Sequence, residues 1–135
     1  MRWVAPINSK ETIDAVLALK TWAVVGLGNN PERAAFGVAK LLQDKGHRII
    51  PVYPRAEEVH GEAGYKTLAD IPVQVDVVDC FVNSKLVGKV VDEAIAIGAK
   101  AVWLQLDVID HEAVGRAQAA GLLTVMDRCP AIEYQ

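Results

Sequence analysis

Trp22-Ala23-Val24-Val25-Gly26-Leu27-Gly28-Asn29-Asn30-Pro31 is the stretch whose reading decides the fold. A short apolar, Val-rich run closed by glycine suits a strand buried on both faces, and Gly-x-Gly directly after it suits a turn into a helix. Gly26 permits a tight turn, and Gly28 lets a ligand come close to the backbone. The amides that follow, with the helix N-terminus, can hold a diphosphate. An ordinary strand-to-helix turn, using glycine for its backbone angles alone, accounts for the same residues.

Upstream of this stretch, Asn8 and Glu11 form a loose capping box for a helix over about 9–20, with Ile13, Val16, Leu17 and less firmly Lys20 on one face. Downstream, the pattern predicts a helix from Ala34 to Lys45 with Val38, Leu41 and Leu42 inward and Gly46 as its stop. Arg48–Val52 reads as a second strand that ends at Tyr53-Pro54-Arg55. Residues 56–70 are mixed, with a short strand near Tyr65 and a helical turn around Leu68. Strands follow at Val75–Val82, Ala101–Leu106 and Leu122–Met126. Between them lie an amphipathic helix over Leu86–Ile97 and one from the cap Asp110 to Ala120, closed by Gly98 and Gly121. Strands alternating with helices predict an α/β, doubly wound, mainly parallel sheet of the Rossmann-like kind, in one domain over 1–135. The first strand and the Val75–Val82 strand are expected to be neighbours where the winding reverses.

The 135 residues, 52% hydrophobic and 23% charged, exclude a disordered chain and supply a core without staples. A formal charge of −3 recommends no nucleic acid partner. No apolar run is long enough to span a bilayer, and the start, Met1-Arg2-Trp3-Val4-Ala5-Pro6, lacks a signal-peptide core; the expectation is a cytoplasmic protein. Cys80 and Cys129 make neither a disulfide framework nor a metal-ligand spacing.

In such a sheet, ligands bind outside the carboxyl ends of the strands. The candidate segments are therefore 26–30, 52–55, 81–84, 105–107 and 127–129. Two features depart from a plain NAD site. Pro31 stands where the third glycine of the dinucleotide fingerprint belongs, and the second strand ends on Val52-Tyr53-Pro54-Arg55, with no carboxylate until Glu57. Arg55 could bind an extra phosphate on the adenosine ribose, which favours NADP or coenzyme A over NAD; a solvated arginine is the alternative.

The sequence also resembles a family. Val24-Val25-Gly26-Leu27, Asn29-Asn30-Pro31-Glu32-Arg33, Gly37-Val38-Ala39-Lys40 and Arg48-Ile49-Ile50-Pro51-Val52 look like the opening of the small bacterial coenzyme A-binding proteins. Thr67-Leu68-Ala69-Asp70-Ile71-Pro72, Val75-Asp76-Val77-Val78-Asp79, Ile97-Gly98-Ala99-Lys100-Ala101-Val102-Trp103-Leu104-Gln105 and Met126-Asp127-Arg128-Cys129 extend the likeness along nearly the whole chain. These proteins resemble the coenzyme A-binding domain of the succinyl-CoA synthetase α subunit. The resemblance implies a Rossmann-like domain that binds coenzyme A. Gly26, Leu27, Gly28, Asn29, Asn30 and Arg33 would face the phosphates. Val52, Tyr53 and Arg55 would lie by the adenosine, with Phe81, Val82, Asn83 and Ser84 along the diphosphate and pantetheine. Against the family pattern, Gly28 replaces a serine and Tyr53 an asparagine, where it either stacks on adenine or obstructs it. Val82-Asn83 replaces an arginine or proline pair, and Asp107 replaces a glycine. The phosphorylated histidine of the ligase relatives comes from another domain with no counterpart here, so ligase activity is not implied.

Other residues have structural readings. Cys129 sits at the functional rim, where a mixed disulfide is conceivable beside Arg128, but a small residue by a turn fits as well; Cys80 belongs to the core. Asp76 and Asp79 are read as anchors for a nearby helix N-terminus or loop, since residues three apart on a strand face opposite ways. His47, His60 and His111 show no metal or triad spacing and are given surface or capping roles. Trp22 and Trp103 belong in the core, and Trp3 packs back on the domain or joins a partner surface. Lys85 and Lys89 start a helix and either could meet a phosphate, a solvated face being the default. The leading expectation is a coenzyme A- or acyl-CoA-binding protein without catalysis of its own. The alternatives are an NADP-linked oxidoreductase subunit and a metabolite- or redox-sensing module.

Overall fold

Short β-branched runs become strands here because both of their faces can be covered. The computed structural model describes residues 4–135, so Trp3 lies outside the described residues. Its strands are β1 (Thr21–Val25), β2 (Arg48–Val52), β3 (Val77–Cys80), β4 (Ala101–Leu104) and β5 (Leu123–Val125). All pair in parallel, in the order β2-β1-β3-β4-β5. The chain steps from β1 outward to β2, then returns across β1 to β3 and continues the other way. The reversal therefore falls between β1 and β3, as expected.

The helices are α1 (Lys10–Leu17), α2 (Ala34–Asp44), α3 (Val87–Ala96), α4 (His111–Ala119) and α5 (Pro130–Glu133). Alternate strand residues feed two cores. Trp22, Val24, Val77 and Trp103 meet Val16 of α1 and Ala39 and Leu42 of α2 on one face. Ala23, Val78, Val102 and Leu104 meet Val91 of α3 and Val114 of α4 on the other. That is a doubly wound α/β sheet.

Several local expectations change. The N-cap of α1 is Ser9, whose hydroxyl accepts from the Thr12 amide at 3.1 Å. Asn8 instead donates its amide N–H to the Met126 carbonyl and accepts from the Met126 N–H, both at 2.8 Å, beyond β5. The inward face of α2 is Ala35, Ala39 and Leu42, with Val38 and Leu41 only half-buried, because small residues let the helix sit close to the sheet. Leu86 lies outside α3 and is 57% exposed. β3 is shorter than predicted: the Asp76 carbonyl accepts from Lys100 and Ala101 N–H, and past Cys80 the backbone turns toward α3. Residues 56–70 carry a single parallel bridge from Tyr65 to Val52 and a 3-10 turn over Leu68–Asp70, both where the sequence suggested.

Candidate functional site

The β1-to-α2 turn is built on Gly26. Its φ is 99°, and its N–H donates to the Val52 carbonyl at 2.8 Å. A Cβ there would fall on the Phe81 carbonyl oxygen, far inside contact distance. Only glycine closes this turn without displacing β3's exit. Leu27 next to it is fully buried in the core, so its backbone alone can serve a ligand. Asn29 donates to the Glu58 carbonyl at 2.8 Å, and Asn30 Oδ1 accepts from the Glu32 amide at 3.0 Å. Arg33 is the N-cap of α2, and its side chain caps nothing; the first turn of α2 carries no acid either. The first amides of α2 are therefore left to whatever lies in front of them.

Three hollows meet at this turn, and Gly26 and Arg33 line all three. The first, about 360 Å³, is polar, with Gly28, Asn29, Asn30, Arg55 and Glu57 in its wall. The second, about 410 Å³, is largely apolar and runs between Val52, Tyr53 and Pro54 on one side and Val82, Leu86 and Val90 on the other, with Lys66 and Lys89 at its margin. The third, about 180 Å³, lies between Ala35, Phe81, Gln105 and Val108.

The structure thus brings together Gly26, Gly28, Asn29, Asn30, Arg33, Tyr53 and Arg55, with Val52, Phe81 and Val82 beside them. Asn83 and Ser84 do not line these hollows. Asn83 Oδ1 accepts from the Lys85 and Leu86 amides, and Ser84 Oγ accepts from the Ile109 amide at 2.9 Å, so both are engaged in holding local turns. The Tyr53 ring stands against Gly28, where a Cβ would lie 3.4 Å from both the ring and Glu57 Oε1. Tyr53 is thus part of the wall. Asp107 adopts a φ of 68°, the conformation that glycine fills in the family pattern, and its N–H donates to Asp127 Oδ1 at 2.7 Å. Of the two lysines, Lys89 lines the apolar cleft and Lys85 does not.

The sequence reading did not place Glu57, Lys66 or Leu68 at the site, whereas Gln105 falls in the candidate segment 105–107. Ala56, with a φ of 49°, turns the chain so that Glu57 comes back beside Gly28. The bridge from Tyr65 to Val52 carries Lys66 and Leu68 to the end of β2. That pairing register is the signal that would have found them.

Asp79 is the sharpest electrostatic feature. It is fully buried on β3, facing the α1/α2 side by strand alternation, with Val24 and Trp103 as its register partners. Gln105 Nε2 donates to its Oδ1, while Oδ2 has no partner among the described residues. Burial pushes its carboxyl up to about 8, with the Gln105 hydrogen bond opposing. Asp79 therefore holds a side chain, not the helix N-terminus or loop expected of it. Asp76 does take an anchoring role, accepting from the Thr21 amide at 3.1 Å and pairing with Lys100 at 3.4 Å. His47 is not a surface residue: 9% exposed, it bonds the Leu19 carbonyl and the Tyr134 hydroxyl at the amino end of the sheet. His60 bonds the Phe36 carbonyl at 2.8 Å and stacks on that ring, and His111 is exposed on α4. Cys80 is buried, and burial pushes its thiol well up; Cys129 is half-buried at the N-cap of α5 and lines none of the three hollows. Among the described residues no His, Cys, Asp or Glu cluster could hold a metal, and no helix is long and apolar enough to cross a membrane.

A parallel five-stranded sheet reversing at β1/β3, with a glycine turn opening onto hollows at the reversal, defines a Rossmann-like α/β domain. Within that class the chain belongs to the CoA binding domain family, which matches residues 20–135. It is 34% identical over 127 residues to the uncharacterized protein YneT of Bacillus subtilis (strain 168), covering 93% of this chain and 94% of that protein. A hypothetical protein from Pyrococcus horikoshii OT3 superposes with a TM-score of 0.89 at 40% identity, over 99% of this chain and 96% of its own. The acetate–CoA ligase (ADP-forming) II subunit alpha of Pyrococcus furiosus is 36% identical over 81 residues, which are 59% of this chain but only 18% of that subunit. The likeness to the larger ligases is confined to one of their parts.

Proposed function

We propose that the protein binds coenzyme A, or an acyl-CoA, across the three hollows, as a small cytoplasmic binding protein without catalysis of its own and without a nucleic acid partner. One observation carries the reading: a polar, an apolar and a small hollow converge on Gly26 and Arg33, in front of a helix N-terminus that no side chain caps. A diphosphate at that junction meets backbone amides, the positive end of α2 and a guanidinium. The apolar cleft between Val52, Tyr53 and Val82 suits the adenine, and Arg55, Lys66 and Lys89 border the space where the ribose phosphate would lie. Membership of the CoA binding domain family, and the ligase subunit whose matching part this chain resembles, support the same ligand.

A thermal-shift panel with coenzyme A, acetyl-CoA, dephospho-CoA, NAD, NADP and ATP tests the proposal. Ligand at a hundred times Kd adds about 2.7 kcal/mol, which raises Tm by roughly 10 °C for a domain of this size. No shift with millimolar coenzyme A sinks the reading, and a shift with NADP alone replaces it with the nicotinamide alternative. Gly28→Asp sets a carboxylate against the diphosphate and abolishes the shift. Arg55→Ala weakens coenzyme A more than dephospho-CoA; equal losses would remove Arg55 from the ribose phosphate.

A further inference from the structure

The smallest hollow is distinct from the other two. Arg33, which it shares with them at its mouth, is its one charged lining residue, and Gln105 is its one neutral polar side chain. The cationic residues Arg55, Lys66 and Lys89 all border the larger clefts. A ligand with its charges gathered at one end therefore places its neutral end here. At about 180 Å³, the hollow has room for about six waters at roughly 30 Å³ each, the room that a thioester with a few carbons needs.

Behind Gln105 stands Asp79, fully buried, with one carboxyl oxygen bonded to the Gln105 amide and the other without a partner. An ionised carboxylate in that position would be costly. Gln105 has no hydrogen bond from its own side-chain oxygen among the described residues, so one end of its amide is committed to Asp79 and the other is free for the hollow.

We propose that this hollow takes the acyl end of a short-chain acyl-CoA, with the Gln105 amide hydrogen-bonding the thioester carbonyl and Asp79 positioning that amide from behind. The proposal rests on the coenzyme A reading above. The proton on Asp79 sets which end of the amide is offered. A carboxylate accepts from the Gln105 NH2 and leaves the amide oxygen toward the hollow, where it repels a carbonyl. A neutral carboxyl donates its own proton to the amide oxygen and turns the NH2 toward the hollow, where it donates to the carbonyl. The structure shows the carboxylate arrangement, with Gln105 Nε2 on Asp79 Oδ1; burial holds the Asp79 carboxyl up at about 8, so at neutral pH its proton turns the amide over to the donor arrangement. Few other groups can disturb this titration. β1 and β4 set Val24 and Trp103 beside Asp79, and α2 presents Ala34 and Ala35 to the hollow. The Cys80 thiol lies on the opposite face of β3, and Arg33 is the charged group of the hollow itself.

Calorimetric titration of the full chain with acetyl-CoA and with coenzyme A, at pH 6.5 and pH 9, tests the proposal. The wild type prefers acetyl-CoA by about fivefold at the lower pH, the size of one neutral hydrogen bond, and loses that preference at the higher. Gln105→Leu removes the preference at both pH values. Asp79→Asn, which has no proton to titrate, shows one and the same preference at both pH values. A wild type that binds both ligands equally at pH 6.5 overturns the inference and leaves the coenzyme A reading standing. So does a Gln105→Leu protein that keeps the preference, or an Asp79→Asn protein whose preference changes between pH 6.5 and pH 9. Should Gln105→Leu fail to fold, the pH profiles of the wild type and Asp79→Asn decide the matter between them. A wild type that binds neither ligand overturns the coenzyme A reading itself, and the inference falls with it.

Discussion

The two ends of the sheet treat their polar groups in opposite ways. At the amino end, Asp76 accepts from Thr21 and pairs with Lys100, the Trp22 indole donates to the Leu19 carbonyl at 2.9 Å, and His47 uses both ring nitrogens. Since His47 Nδ1 faces a carbonyl, it carries the proton, and Nε2 accepts from Tyr134. At the carboxyl end, Gly26 holds a left-handed turn, α2 begins uncapped, and Asp79 is buried with an oxygen to spare. Asp76 and Asp79 are three residues apart. One is satisfied by its own chain, and the other keeps one oxygen unpartnered among the described residues, behind Gln105.

The largest effect expected is that of Gly26→Ala. Left-handed strain and a Cβ on the Phe81 carbonyl together cost about 3 kcal/mol, read as a lower urea midpoint, and ligand binding is lost with the turn. A variant as stable as the wild type would show that this end is not under constraint.

Asp79→Asn sharpens the contrast next. With the folded carboxyl at about 8 and the unfolded one near about 4, the native state binds the extra proton between those values. Stability then falls as pH rises from 4 to 8 and stays reduced above. The Asn variant lacks that fall and is the more stable protein at pH 8; parallel wild-type and variant profiles of urea midpoint would break the assignment. Asp76→Ala, by contrast, orphans the Thr21 amide and costs about 2 kcal/mol with no change in coenzyme A affinity. A change in affinity would deny the division between the two ends.

The smallest expected effect is at His47. Tyr134→Phe removes a hydroxyl that meets both His47 and the Leu17 carbonyl and costs about 1 kcal/mol. Burial also holds His47 below its ordinary value, so the unfolded chain takes up the proton first. This contribution to stability is intact above about pH 6.5 and is lost as pH falls below it. Thermal midpoints between pH 5 and 8 for the wild type and a His47→Gln variant measure it, and identical slopes would remove His47 from the account.

The fold was legible in the sequence to the extent that periodicity carries it. Short apolar runs alternating with amphipathic helices placed all five strands, and the first and third were expected to meet at the reversal, where they do. Element ends were less legible, since where β3 stops depends on which carbonyls Lys100 and Ala101 reach. The site divided in the same way. The glycine turn and Arg55 could be read from local pattern, while Arg33 and Asp107 at a glycine position were marked by the family resemblance alone. Glu57 and Lys66 could not be read from either, because a left-handed alanine and a tertiary bridge bring them in. Asn83 and Ser84 were expected along the ligand, yet both spend their side chains on nearby amides, a choice that only three-dimensional neighbours reveal.

Both margins of the sheet are closed by segments of the chain that are not strands. Beyond β5, the Asn8 side chain trades two hydrogen bonds with Met126, imitating a sixth strand for one residue. Beyond β2, Tyr65 accepts from Tyr53 and donates to Pro51, itself a residue with no N–H to offer. A foreign strand finds little template at either margin. Each margin is thus occupied in part by the chain itself, which leaves less of it open to the edge-to-edge growth that seeds fibrils.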